Sequence, residues 1–183
     1  MKNIRDDIKK AYTDAVESGN STGALYITDM TDKNYGETPA VQSFGCGDPV
    51  RAALLKEGER VLDLGSGAGF DLILASKKVG PSGYVYGLDM TDAMVEKARK
   101  NIAKLQITNV TVLQGYIEEM PIKDKSVDVL ISNCVINLSP EKERVFAEAY
   151  RVLDDGGRFC VSDVVLMKKV PEKVKNSSAA WSG

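Results

Sequence analysis

Histidine is absent from the 183 residues. That gap excludes the Ser-His-Asp and Cys-His catalytic arrangements, an imidazole metal site and an imidazole acid or base. Any proton transfer falls to Asp, Glu, Lys, Tyr or Cys. A basic surplus is missing too. The 24 basic and 26 acidic residues leave a formal charge of −2, which argues against nucleic acid as a partner, since phosphate binding leans on excess positive charge. No apolar run reaches the roughly 18 residues of a membrane span. The N-terminal MKNIRDDIKK lacks a signal-peptide core, so no membrane partner is expected. Cysteine is scarce: Cys46, Cys134 and Cys160 are odd in number, widely spaced and free of any CxxC. Neither a disulfide framework nor a zinc finger is suggested, and reduced thiols in a cytoplasm are the simplest reading.

What is present is an ordinary globular mixture, 43% hydrophobic and 27% charged, in a length that suits one domain or one domain plus a short arm. A chain of this size buries roughly 70% of its unfolded surface and needs no cross-link to hold a core.

The chain divides near residue 48. In the first part, Ile4, Ile8, Ala11, Tyr12 and Ala15 recur at helical spacing, which predicts a helix ended by Ser18-Gly19-Asn20-Ser21. Residues 20 to 48 read as a long loop or lid carrying Cys46, with a plain linker as the alternative. Residues 49 to 183 form the second part. A short helix is expected from Pro49 to Lys56, then a strand over 60–64, a helix over 70–79 and a strand over 84–88. Thr91 is expected to cap a helix with an apolar face of Met94, Ala98, Ile102 and Leu105. Strands follow over 110–113 and 127–132, the latter nearly all apolar as for a strand covered on both faces. A helix from Pro140 to Leu153 is expected to bury Phe146, Ala149, Tyr150 and Leu153 and to end in a glycine C-cap at Asp155-Gly156-Gly157. Arg158 to Val165 is the fifth strand. Strands alternating with helices imply an α/β fold with a doubly wound, mostly parallel sheet.

The strongest local signal is VLDLGSGAGF, residues 61–70. A hydrophobic strand runs into Gly65, Gly67 and Gly69 and then a helix. Glycines at such a turn allow positive φ and close approach of a ligand to the backbone. The dinucleotide fingerprint GxGxxG would need glycine at position 70, where Phe70 stands. A second signal is Asp89 at the end of the second strand. A carboxylate there can accept hydrogen bonds from both hydroxyls of a ribose. Nicotinamide dinucleotides and S-adenosylmethionine (AdoMet) both carry that ribose. Asp63, within the first strand, would repel a pyrophosphate but suit a cationic methionine amino group, which favours AdoMet.

On these residues, positions 58–165 resemble the class I AdoMet-dependent methyltransferases, a Rossmann-like fold. VLDLGSGAG is similar to the first motif of that family, and GLDM (87–90) to the second. Gly115-Tyr116-Ile117-Glu118-Glu119-Met120-Pro121 resembles the adenine-binding segment, and LDDGGRF (153–159) the turn before the fifth strand. The resemblance implies AdoMet as cofactor, with Asp63, Gly65, Ser66, Gly67, Gly69, Asp89, Met90, Ile117, Glu118 and Asn133 as its binding residues. Tyr116 stands where the family is usually acidic, which shifts the adenine contact to Ile117 and Glu118.

Two further segments, SFGCGDP (43–49) and ISNCVINLSPEKERVF (131–146), resemble arsenite methyltransferases. That resemblance implies that Cys46 and Cys134 bind trivalent arsenic as thiolates and present it, as arsenite or a thiol conjugate, for methyl transfer in a detoxification reaction. Soft thiolates suit soft arsenic(III). Cys160, in mid-strand, reads as packing. The family pattern also continues past Gly183 into a further cysteine and two more strands. The resemblance therefore implies a larger protein, with AdoMet binding kept and full turnover doubtful in the 183 residues alone. The alternatives are methyl transfer to a quinone-like or other small carbon or oxygen nucleophile, a non-catalytic module that binds AdoMet or a metalloid, and, more distantly, a nicotinamide-dependent dehydrogenase.

Overall fold

The computed structural model describes residues 4–18, 41, 43 and 45–168. The expected helix terminator at 18–21 and most of the expected loop lie wholly or partly outside the described residues. The elements run α1 (Ile4–Ser18), α2 (Pro49–Ala52), β1 (Arg60–Leu64), α3 (Phe70–Val79), β2 (Tyr84–Asp89), α4 (Asp92–Lys104), β3 (Val110–Gln114), β4 (Val127–Asn133), a 3-10 turn (Ile136–Leu138), α5 (Lys142–Val152) and β5 (Leu153–Ser162).

The five strands pair in the order β3-β2-β1-β4-β5, every pair parallel. The order reverses between β1 and β4, so the crevice for a ligand falls at their C-terminal ends. The central strands alternate between two apolar layers. Val61, Val129 and Ile131 pack with α2, α3 and α4, while Leu62, Leu64 and Leu130 pack with α5. Successive strand side chains point to opposite faces. With both faces covered, the strands read as continuous apolar runs. Asp63 shares the parity of Val61, which explains why a carboxylate is 1% exposed in mid-sheet.

Four expectations are corrected. The helix from Pro49 stops at Ala52, and Leu54 takes φ 49°, a left-handed conformation that a helix cannot continue through. Thr91 stands at the N-cap of α4 but makes no side-chain cap, and its hydroxyl bonds Asp89 instead. In α5 the buried residues are Val145, Ala149 and Val152. Phe146 is 51% and Tyr150 86% exposed. Both faces of this helix carry apolar residues, so periodicity could not choose between them. Finally, α5 ends at Val152, before the glycines. Leu153 is already extended (φ −69°, ψ 134°), and Asp154 to Gly157 belong to β5, where the register with β4 shifts between Val127 and Val129. Gly156, at φ 80°, serves that irregularity rather than a helix cap.

Candidate functional site

β1 ends in a turn built by its glycines. Gly65, Gly67 and Gly69 take φ of 68°, 51° and 92°, values that cost little only without a Cβ. The Gly65 and Ser66 amides donate to the Leu88 carbonyl at 2.8 and 3.0 Å, tying the turn to β2. A Cβ at Gly67 would meet nothing within 4 Å, so that face of the turn is open to a ligand. Gly69 turns away and backs onto Ala98. Asp89 holds the other side. Its Oδ2 accepts from the Gly67 amide at 2.9 Å, and its Oδ1 from the Thr91 amide at 2.8 Å.

One crevice gathers most of the expected binding residues: Gly65, Ser66, Gly67, Asp89, Met90, Ile117, Glu118, Asn133 and Cys134 all line it. Asp63, Gly69 and Cys46 do not. Asp63 lies buried behind the turn, its Oδ2 without a hydrogen-bond partner, and the buried Ser66 Oγ is likewise unpartnered. Glu118 Oε1 accepts from Ser139 Oγ at 2.6 Å and faces Arg5 at 3.2 Å.

Sequence reasoning missed the part played by α1. Arg5, Ile8 and Tyr12 also line the crevice, so the helix lies across its mouth. Arg5 pairs with Glu141 as well as Glu118, its guanidinium lies 5.6 Å from the Tyr116 ring centre, and Lys9 bonds Asp92 at 2.8 Å. Burial, with the charges of Asp89 and Asp163 adding to it, raises the Tyr12 phenol. The helical spacing of Ile4, Ile8, Ala11 and Tyr12 showed that this face had something to cover but not what.

The thiols meet at the far end of the crevice. The expectation of separate, reduced cysteines is corrected: Cys46 and Cys134, 88 positions apart, form a disulfide with their Cα atoms 6.0 Å apart. Wide spacing along the chain says nothing about distance once a loop folds back. Cys134 follows β4 directly and sits at φ 55°, a conformation that costs a non-glycine residue about 1 kcal/mol or more. Its amide donates to the Ser162 carbonyl at 2.8 Å. Cys160 stays a free thiol, partly buried against the core, as expected for a packing residue.

Three buried carboxylates crowd this region, and of the three only Asp89 feels a cation among the causes of its shift, the charge of Lys9. Burial raises Asp63 well above the usual carboxylate range, and the charges of Asp71 and Asp89 add to the effect. Burial also raises Asp89, against the hydrogen bonds it accepts. Burial pushes Asp71 to about 6, opposed by the hydrogen bond from Asn133. An acid whose folded pKa is raised binds more protons folded than unfolded. Its stabilisation is therefore complete below about pH 4 and is lost as pH rises through about 6. With no histidine to titrate in that window, the ligand-free protein is expected to melt roughly 5 °C higher at pH 5 than at pH 7 by scanning calorimetry. Asp71→Asn should flatten the slope. An unchanged slope would assign it to other groups.

The sequence and fold are similar to those of known proteins. An arsenite methyltransferase of Halobacterium salinarum is 52% identical over 139 residues, covering 76% of this chain and 36% of its own length. A human arsenite methyltransferase is 42% identical over 158 residues, covering 81% of this chain and 42% of its own. The chain thus spans well under half of these curated relatives. Among solved structures, an arsenic(III) S-adenosylmethionine methyltransferase from Chlamydomonas reinhardtii superposes with a TM-score of 0.65 at 46% identity, covering 72% of this chain and 46% of that one. A SAM-dependent methyltransferase from Aquifex aeolicus gives 0.61 at 32% identity, covering 69% and 70%. The profile of the methyltransferase-domain family matches residues 55–183, and with the parallel sheet, the glycine turn and the strand-end Asp89 in place, the chain belongs to that family.

Proposed function

We propose that the protein transfers a methyl group from AdoMet to trivalent arsenic held as a thiolate complex by Cys46 and Cys134. The observation that carries this reading is the meeting of the two cysteines, from segments 88 positions apart, at the edge of the crevice that Cys134 lines. A quinone-type nucleophile would have no use for that pairing.

The residues present fit AdoMet. The open face of Gly67 admits a ligand against the backbone, and Asp89 stands where it can accept from a ribose. Asp63, Asp71 and Asp89 make the surroundings favourable to a cation and unfavourable to a pyrophosphate. Ser66 brings an unpartnered hydroxyl. Met90, Ile117 and Glu118 form the wall beyond Asp89, where the adenine is placed by this reading. AdoMet supplies a methyl group activated by a sulfonium.

The chain's own part is positioning and exclusion of water, worth several kcal/mol in well-oriented reactions. Asp89 and the glycine turn orient the cofactor. Cys46 and Cys134, once reduced to thiols, each lose a proton on binding arsenic and hold it at the crevice edge. α1, fastened by Arg5 and Lys9, covers the other side. No imidazole base is required, because the arsenic lone pair has no proton to lose.

The test is the intact product of the reading frame, incubated with AdoMet, arsenite and a thiol reductant and analysed by mass spectrometry. Methylated arsenic is expected. Its absence, with AdoMet still bound, would reject arsenic as the substrate.

A further inference from the structure

Asn133, the last residue of β4, has more to hold than a cofactor. Its Oδ1 accepts from the Cys46 amide at 2.9 Å and the Gly47 amide at 3.2 Å. Its Nδ2 donates to the Gly47 carbonyl at 2.9 Å and to Asp71 Oδ2 at 3.0 Å. Three of these four bonds go to the loop that carries Cys46. The loop is shaped to receive them: a Cβ at Gly45 would collide with the Asn133 side chain, and one at Gly47 with Ser162. Asp71, in the first turn of α3, is 8% exposed. By accepting from Nδ2 it fixes which end of the amide faces the loop amides.

We propose that Asn133, oriented by Asp71, is the positioning residue that sets Cys46 against Cys134. The inference rests on the reading of these cysteines as a working thiol pair. Asn133 is adjacent to Cys134 in the chain and bonded to the backbone of Cys46, so one side chain fixes the distance between both sulfurs. Asp71 also lines the cofactor crevice. The thiol loop is thereby anchored to the wall that the cofactor occupies, rather than resting on the disulfide alone.

The experiment is a thiol–disulfide equilibrium in glutathione buffers. One protein disulfide and two glutathiones exchange for one protein dithiol and one glutathione disulfide, so electrons and protons balance. Every variant carries Cys160→Ser, to leave a single pair. The equilibrium constant reads how closely the two thiols are held when reduced, and it contains no arsenic. It therefore holds or fails independently of the proposed activity.

Asn133→Asp keeps the acceptor for the loop amides but loses both donations and faces Asp71 with a second acid. It is expected to favour the reduced form at least about tenfold, the scale of one charge-assisted hydrogen bond. The exchange Asp71→Asn with Asn133→Asp restores the bond between the two side chains with the donor reversed. It is expected to recover most of the loss. That recovery cannot come from relieving charge at position 133, since single and double variants both carry it there, and far-UV circular dichroism checks that each is folded. An Asn133→Asp constant equal to that of the parent, or a folded double variant no better than the single, would overturn the proposal.

Discussion

Serine in place of Cys46 or of Cys134 is expected to lower arsenite methylation at least about a hundredfold while leaving AdoMet affinity within about threefold. A thiolate is the soft ligand that arsenic(III) prefers, and a hydroxyl is hard and stays protonated at neutral pH. Losing one of two ligands also turns a chelate into a single bond. The two cysteines differ in place: Cys46 is exposed, while Cys134 lines the crevice. Neither lies in the glycine turn or beside Asp89, so neither should disturb the cofactor. Mass spectrometry of the arsenic products and calorimetric AdoMet titration read the two halves of the expectation. Equal loss of both would make the cysteines part of the architecture of the cofactor pocket and would remove the argument for a metalloid.

The second large effect is at Asp89. Alanine there is expected to weaken AdoMet binding at least about a hundredfold, and asparagine by less. The carboxylate accepts from the amides of Gly67 and Thr91, so it both pins the open glycine turn and offers acceptors to the crevice. Alanine removes both functions. Asparagine keeps one acceptor but turns an amide donor toward another N–H. Each lost hydrogen bond to a charged group costs roughly 1.5–3 kcal/mol, which sets the size of the effect. A melting temperature that falls while the titration stays unchanged would reduce Asp89 to a buttress of the turn.

The sheet and the glycine-turn end of the crevice were legible because their signals are local. An apolar run, a glycine turn and a strand-end acid follow one another within VLDLGSGAGF and GLDM, and β1 and α3 begin and end where expected. The thiol end was legible only through resemblance, and its bonding was not. Nothing in the spacing of Cys46 and Cys134 reveals that a loop folds back onto the end of β4, because the contacts it makes there are hydrogen bonds between the Asn133 side chain and backbone atoms. The same limit applies to Asp71, which reads as an ordinary acid at a helix start until Asn133 is found facing it. In α5 and β5 the local signals pointed the wrong way. Phe146 and Tyr150 offer as much apolar surface as Val145 and Val152, and the glycines early in β5 suit a bulge as well as a cap.

The fastening of α1 sets the order in which the site is completed. This helix precedes in the chain the residues it docks on: Arg5 closes on Glu118 and on Glu141, the latter 136 positions downstream. Until those residues have been made and the sheet has ordered them, the helix has nothing to dock on, and a 15-residue segment is marginal as a helix on its own. The helix is therefore among the last parts of the site to settle. The crevice walls assemble from neighbouring β-α units, and the cover arrives by a long-range closure whose entropy is lost only once there is a surface to receive it.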